Sequence, residues 1–364
     1  MKLKEITAFF EKLAPLLYQE SYDNSGLQVG NPGQEITGAL VTFDITDEVI
    51  DEAIRKNINL VIGHHPLIFG GLKSITGKNM TERVVLKAIK NDIAIYAAHT
   101  NFDVIKNGVN GKICQTIGLE NLKILDPVNG KLKKLVVFVP HEHAEKVRSA
   151  LFENGAGSIG NYGSCSYNLD GNGTFKGNDE TNPFTGTKGE LHTEPETRIE
   201  TIFPEHLKGS VISSMIQAHP YEEVAYDIYP LENKYNQFGM GMTGELSKPM
   251  NETEFLTHLK KSFNSGVIKH TALLDKPVRK VAVCGGAGSF LLSKAISAKA
   301  DVFVSADFKY HQFFDANSKI LIADIGHYES EQYTREAFYD LIIKNFPKFA
   351  VHLSEINTNP IKYF

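Results

Sequence analysis

The stretch VIGHHPLIFG, residues 61–70, runs from an apolar segment into two adjacent histidines and back into apolar residues. A strand sends successive side chains to opposite faces, so His64 and His65 cannot both serve one centre while the strand continues. Pro66 pushes His65 into extended or turn geometry and brings no N–H to a ladder. The strand is therefore expected to end here, with both rings leaving the pleat and converging. The alternatives are that one histidine packs while the other is functional, or that the pair belongs to a structural turn.

The pattern around this stretch is regular. Before it, ITGALVTFDIT reads as a strand and DEVIDEAIRKN as a helix; after it, TERVVLKAIKND reads as a helix and IAIYAAHTNFD as a strand. Strands separated by helices of about ten residues argue for βαβ units and a mainly parallel sheet. Ligands on such sheets bind at the carboxyl ends of the strands. A second block repeats the alternation: VRKVAVCGG strand, SFLLSKAISAK helix, ADVFVSAD strand, SKILIADIGH strand, ESEQYTREAFYDLIIKNF helix.

Between the blocks the order is strand (KLVVFVP), helix (EHAEKVRSALFEN), a Gly/Asn/Ser-rich hairpin, strand, helix, strand. This is the ferredoxin-like βαββαβ signature. The expectation is an α/β core domain in two halves, residues 1–125 and 246–364, with mainly parallel sheets, interrupted by an α+β insert at 126–245. Three sequential domains are the alternative. Tyr162, Tyr167 and Phe175 recur through the Gly-rich stretch, which favours a twisted hairpin with a mobile tip over a linker.

Composition narrows the class. At 364 residues the chain exceeds one typical core, and 42% hydrophobic with 22% charged residues is ordinary for a globular protein. A net charge of −5 gives no support to nucleic-acid binding. Cys114, Cys165 and Cys284 form no CxxC pair, which argues against a disulfide framework or a cysteine zinc site and for a reducing cytoplasm. No apolar run is long enough to span a bilayer, and the N-terminus reads as an amphipathic helix. A cytoplasmic location is expected.

Strand ends carry the chemistry. His64 and His65 close one strand; His99 and Asp103 follow another; Asp307 and His311 follow a third; His327 and Glu331 follow a fourth. If these strands are parallel neighbours, one crevice collects them all. Taken singly each has a plain reading: Asp103 as a turn residue, His327 and Glu331 as a solvated helix start. Jointly, three imidazoles and two carboxylates without thiolate suit zinc, iron, manganese or nickel. Five side chains exceed the needs of one open metal, so a dinuclear site with a bridging carboxylate is inferred. VCGGAGSF, residues 283–290, could receive a phosphate on its amides at Gly285–Gly288 or could simply turn tightly. Asp23 and Asn24 in ESYDNSGLQVG line a site or shape a turn.

Together SYDNSGLQVG, GHHPLIF, AAHTNFD, HPYEEVAYDIYPL, ADVFVSADFKYHQ and IADIGHYESE resemble the GTP cyclohydrolase I type 2 homologue family, also called NIF-three-like, over essentially the whole chain. The longer bacterial members carry a middle domain similar to the PII and CutA proteins. The resemblance implies a dinuclear centre of His64, His65, Asp103, His327 and Glu331 with Glu331 bridging. It also implies a toroidal homohexamer whose inserts cap the openings. Two motifs depart from the family pattern: Tyr22 replaces the usual aromatic of WDN, and Ser305–Asp307 reads SAD instead of TGD. The family name implies hydrolytic opening of the guanine ring of GTP with loss of formate; metal-activated water could do this, and His99 and His311 are the candidates for transferring protons or for orienting Asp103 or Asp307. The competing expectation is a metal-binding regulatory or scaffold hexamer whose PII-like insert senses a small molecule without turnover. A ring enclosing nucleic acid is a third, less supported by charge.

Overall fold

The computed structural model describes residues 1–364, and the chain separates into two compact units. Unit 1 comprises residues 1–127 and 237–364, and unit 2 comprises 128–236. The first half of unit 1 contributes β1 (Gly26–Val29), β2 (Gly38–Val41), β3 (Leu60–Gly63), β4 (Ala94–Ala97) and β5 (Leu119–Val128). Unit 2 holds β6 (Leu132–Pro140), β7 (Ser166–Phe175), β8 (His192–Pro204) and β9 (Tyr226–Leu231). The return to unit 1 adds β10 (Tyr235–Met250), β11 (Lys269–His270), β12 (Val278–Ala287), β13 (Val302–Ala306), β14 (Leu321–Asp324) and β15 (Ala350–Leu353).

Unit 1 contains two sheets. The first runs β1-β4-β3-β2-β15, parallel except for β1. β2, β3 and β4 are buried along their whole length, as central parallel strands covered on both faces must be. Helices Asp47–Arg55 and Met80–Lys90 pack on this sheet; Thr46 and Asn79 cap their first turns by accepting from Val49 N and Glu82 N. The second sheet runs β11-β14-β13-β12-β10-β5, with β12, β13 and β14 parallel.

The mixed α/β class agrees with the sequence pattern, but several elements differ from it. β1 was hidden because its four residues follow a polar turn. β15, from the end of the chain, pairs with β2 through Ala350↔Gly38 to Leu353↔Val41, which no local pattern reports. The helix expected from Glu329 onward is two, His327–Glu331 and Thr334–Asn345. Residues 237–245, placed by pattern in the insert, lie on β10, which pairs with β12 from Met242.

Unit 2 follows a βαββαβ order, with an antiparallel sheet β7-β8-β6-β9. Helices Ala144–Glu153 and Lys208–Ala218 bury one face of it, against Leu135, Val137, Val139, Ile199 and Phe203. The glycine-rich stretch forms the β7–β8 hairpin, in register from Ser166↔Thr201 to Phe175↔His192. No helix in the chain is long and apolar enough to cross a membrane.

Candidate metal centre

β3 ends at Gly63, and the amides of His64 and His65 then both donate to one carbonyl, Phe43 O, at 3.0 and 3.3 Å. Turning two consecutive amides onto one carbonyl past the strand end breaks the alternation by which a regular pleat would send the two side chains apart. The convergence of the rings therefore comes from the shared carbonyl; Pro66 follows it and does not produce it alone.

Each imidazole is held through Nδ1. His64 Nδ1 donates to Ala98 O at 2.9 Å, His65 Nδ1 pairs with Asp44 Oδ1 at 2.7 Å, and His327 Nδ1 pairs with Asp307 Oδ2 at 2.6 Å. Partners on Nδ1 leave Nε2 of all three rings to face inward. There, Glu331 Oε2 lies 3.7, 3.4 and 3.1 Å from Nε2 of His64, His65 and His327. His64 Nε2 is also 3.7 Å from Asp103 Oδ1, and the Nε2 atoms of His65 and His327 are 3.3 Å apart.

His64 Nε2, Asp103 Oδ1 and Glu331 Oε2 are buried and have no hydrogen-bond partner. Leaving one such group unsatisfied costs about 1–3 kcal/mol, so three of them aimed at one another need a compensating ligand. For a tetrahedral ion with bonds of about 2.0–2.2 Å, neighbouring donor atoms stand roughly 3.3–3.6 Å apart, close to the spacing found here. Two overlapping groups fit this test: His64, Asp103 and Glu331, and His65, His327 and Glu331, with Glu331 common to both.

The electrostatics agree. Burial drives His64 down to about 3, against the pull of Glu331. Burial also opposes charge on His65 and His327, but Asp44 with Glu331, and Asp307 with Glu331, outweigh it and push them up to about 9 and about 11. Burial and the nearby Glu331 raise Asp103 well above the carboxylate range. Glu331, despite its burial, is held well below that range by His327 and His65. Positive charge on His65 and His327 thus offsets the charge of Glu331 through space, and a bound cation would take over that role.

Residues 1–360 match the profile of the family described as Duf34/NIF3 (NGG1p interacting factor 3). The chain belongs to the DUF34/NIF3 family. A Bacillus subtilis (strain 168) relative called GTP cyclohydrolase 1 type 2 homolog is 40% identical over 366 residues, covering 99% of this chain and 98% of its own. A Staphylococcus epidermidis relative of the same name is 35% identical over 368 residues, covering 100% of both. Among solved structures, a Bacillus cereus protein related to NIF3 aligns with a TM-score of 0.86 at 40% identity, over 100% of this chain and 99% of that one. A Staphylococcus aureus protein aligns with a TM-score of 0.79 at 28% identity over the same shares.

In this DUF34/NIF3 chain the five expected side chains come together, but from two sheets. His64, His65 and Asp103 follow β3 and β4 of the first sheet; His327 and Glu331 follow β14 of the second. The single crevice of parallel neighbours expected from the pattern is instead a meeting of two sets of strand ends. His99 joins the cluster, with a ring nitrogen within 4.8 Å of ligand atoms of His64 and His65. Its partner is Asp23, through Nδ1 at 2.8 Å, not Asp103. Asp23 also accepts from Thr100 N and from the hydroxyls of Thr100 and Ser25, and these bonds hold it below its usual range despite burial. His311 does not join: it is exposed in the turn Tyr310–Ala316, against the rings of Tyr310 and Phe314. Its four-residue spacing from Asp307 suggested proximity, but the chain is not α-helical there, so the spacing carries no shared face.

Two amides of the 285–288 loop are already taken within the fold. Gly285 N donates to Asn110 Oδ1 and Gly286 N to Ser330 Oγ, so both amides are engaged. Gly286 has φ +57°, and a Cβ there would lie 2.7 Å from Glu331 Oε1 and 3.1 Å from His327 Cε1. The loop is glycine so that the backbone can approach the shared carboxylate.

Sequence reasoning missed the outer ring. Asp44, which orients His65, accepts a second bond from Thr358 Oγ1 at 2.8 Å. The same tail reaches the buried Glu329 on the His327–Glu331 helix, through Asn359 Nδ2 at 3.2 Å and the Tyr363 hydroxyl at 3.4 Å. The only signal available was the concentration of Asn, Thr and Tyr in the last residues, which has no periodicity.

Proposed function

We propose that this DUF34/NIF3 protein is a hydrolase that works with two divalent metal ions and acts on a nucleotide. His64, Asp103 and Glu331 would hold one ion, and His65, His327 and Glu331 the other. Zinc, iron, manganese and nickel all suit this nitrogen and oxygen donor set. The observation that carries the reading is the trio of buried, unpartnered donor atoms converging around Glu331 Oε2. When bound, such ions supply Lewis acidity and lower the pKa of coordinated water to about 7.

The protein's own residues would do the rest. Asp44, Asp307 and Ala98 O fix the three rings so that the donor atoms need no rearrangement. Asp23 holds His99 through Nδ1, which leaves Nε2 to take up or release a proton beside the cluster. Phe69, half exposed, meets His99 edge-on at 5.5 Å and offers a ring against which a base can rest.

The relatives are called GTP cyclohydrolase 1 type 2 homolog, which supports GTP as the substrate; the reaction proposed is hydrolytic opening of its guanine ring with release of formate. Metal-loaded protein should release formate from GTP, and His64→Ala and Glu331→Gln should lose metal and formate release together. Formate release at the wild-type rate by metal-stripped protein would overturn the proposal.

A second reading takes the metals as structural and unit 2 as a PII/CutA-like sensor of a small molecule. The βαββαβ order of unit 2 favours it. It expects no turnover of any nucleotide by the metal-loaded protein. A cytoplasmic homohexamer belongs to both readings, supported by the family resemblance; light scattering should give six times the 40.4 kDa chain mass.

A further inference from the structure

Unit 2 contains a cavity of about 590 Å³, within the range of small-molecule sites and distinct from the metal cluster of unit 1. It sits on the face of the β7-β8-β6-β9 sheet opposite the two helices. Strand alternation explains why it is hollow. Leu169, Gly171, Gly173 and Phe175 fall on the same face of β7; the space is open over Gly171, and at Gly173 the Glu196 carboxylate enters it. Across the sheet, Leu169 pairs with Arg198 and Arg198 with Phe138, while Gly171 pairs with Glu196.

The gap is walled by rings and floored by a carboxylate. Phe175 and Phe184 lie 6.1 and 6.2 Å from Tyr221, centroid to centroid. Glu196 is only 8% exposed, and its side chain has one hydrogen bond, accepted from the Tyr221 hydroxyl at 2.9 Å. A Cβ at Gly173 would collide with its other oxygen, so the glycine is what lets the carboxylate lie across β7. The basic neighbour Arg198 does not neutralise it, because its guanidinium is engaged by Glu200 at 2.9 Å and stacks over Phe138 at 5.7 Å. A buried carboxylate with a single neutral donor is costly unless a cation completes it, and aromatic faces attract the same charge.

We propose that this cavity binds an organic cation: an amine, amidine or guanidinium carried on a flat apolar body, the charge on Glu196 and the body between the rings. The site is independent of the metal centre, so the two proposals fail separately. The test is calorimetry on the full-length protein with benzamidine, against benzamide and benzoate, its neutral and anionic counterparts of the same shape. Benzamidine should bind one per chain, with benzamide and benzoate each weaker by about tenfold or more. Glu196→Gln keeps the shape and the acceptor for Tyr221, and should weaken benzamidine by about tenfold. Phe184→Ala, in the segment beyond β7 and away from the helix-covered core, should weaken it several-fold, about threefold. His64→Ala should leave binding unchanged. Absence of saturable benzamidine binding, equal binding of benzamide, or unchanged affinity in Glu196→Gln would each overturn the proposal.

Discussion

Alanine in place of Gly286 perturbs the shared carboxylate without replacing any proposed ligand. The left-handed backbone at φ +57° costs an L-residue about 1–2 kcal/mol, which sets the expected loss of fold stability. The added methyl would stand 2.7 Å from Glu331 Oε1, closer than a real Cβ contact, so Glu331 must move. It has little room: the side chain is 4% exposed, carried on the short helix His327–Glu331, and close to His64, His65 and His327 on its other oxygen. Displaced supports of a metal ligand typically cost about 10–100-fold in affinity, or about 1.4–2.7 kcal/mol, and both ions should suffer because both groups share Glu331. Titration of metal-stripped protein with zinc or cobalt, followed by calorimetry, reads the affinity; thermal unfolding reads the stability. Gly286→Ala with wild-type affinity and two ions per chain would refute the argument that the loop is glycine for the sake of Glu331.

Metal binding should release protons. His65 and His327 keep theirs up to about pH 9 and about pH 11 in the metal-free protein, and an ion requires both neutral, so affinity should climb with a slope of about 2 in log K against pH between about 7 and 8.5. A flat profile would contradict the assignment of those two rings. The same raised imidazoles stabilise the metal-free fold fully below their unfolded value of about 6.5, and that contribution fades as pH rises through about 9 and then about 11. Thermal scans of stripped protein should therefore show a falling midpoint above neutrality that saturating metal suppresses. Thr358→Val removes the second bond on Asp44 and should lower metal affinity by up to about tenfold, restored by Thr358→Ser; equal cobalt affinity and spectra in wild type and valine variant would show that the tail does not act on His65.

The choice of His64, His65, Asp103, His327 and Glu331 came from the family resemblance, while local sequence patterns sufficed for the α/β class and for the strand ends that carry the candidate side chains. The reason is that strand ends, helix starts and the adjacent His64 and His65 are features of a few consecutive residues. The βαββαβ order of unit 2 was legible for the same reason. What only the folded chain decided depends on distant partners. His64 and His65 converge because both amides share Phe43 O across the sheet, not because Pro66 alone ends a strand. The crevice joins strand ends of two sheets, and β15 reaches the first sheet from the far end of the chain. His99 lies in the cluster while His311 does not, although both follow strands, because one is seated by Asp23 and the other rides an exposed turn. The glycines of VCGGAGSF could serve an anion or a turn; the approach of Glu331 to Gly286 is a reason for glycine that no motif encodes. The bond from Thr358 to Asp44 spans 314 residues, and no periodicity or spacing can encode a contact whose two ends meet only when the tail packs down.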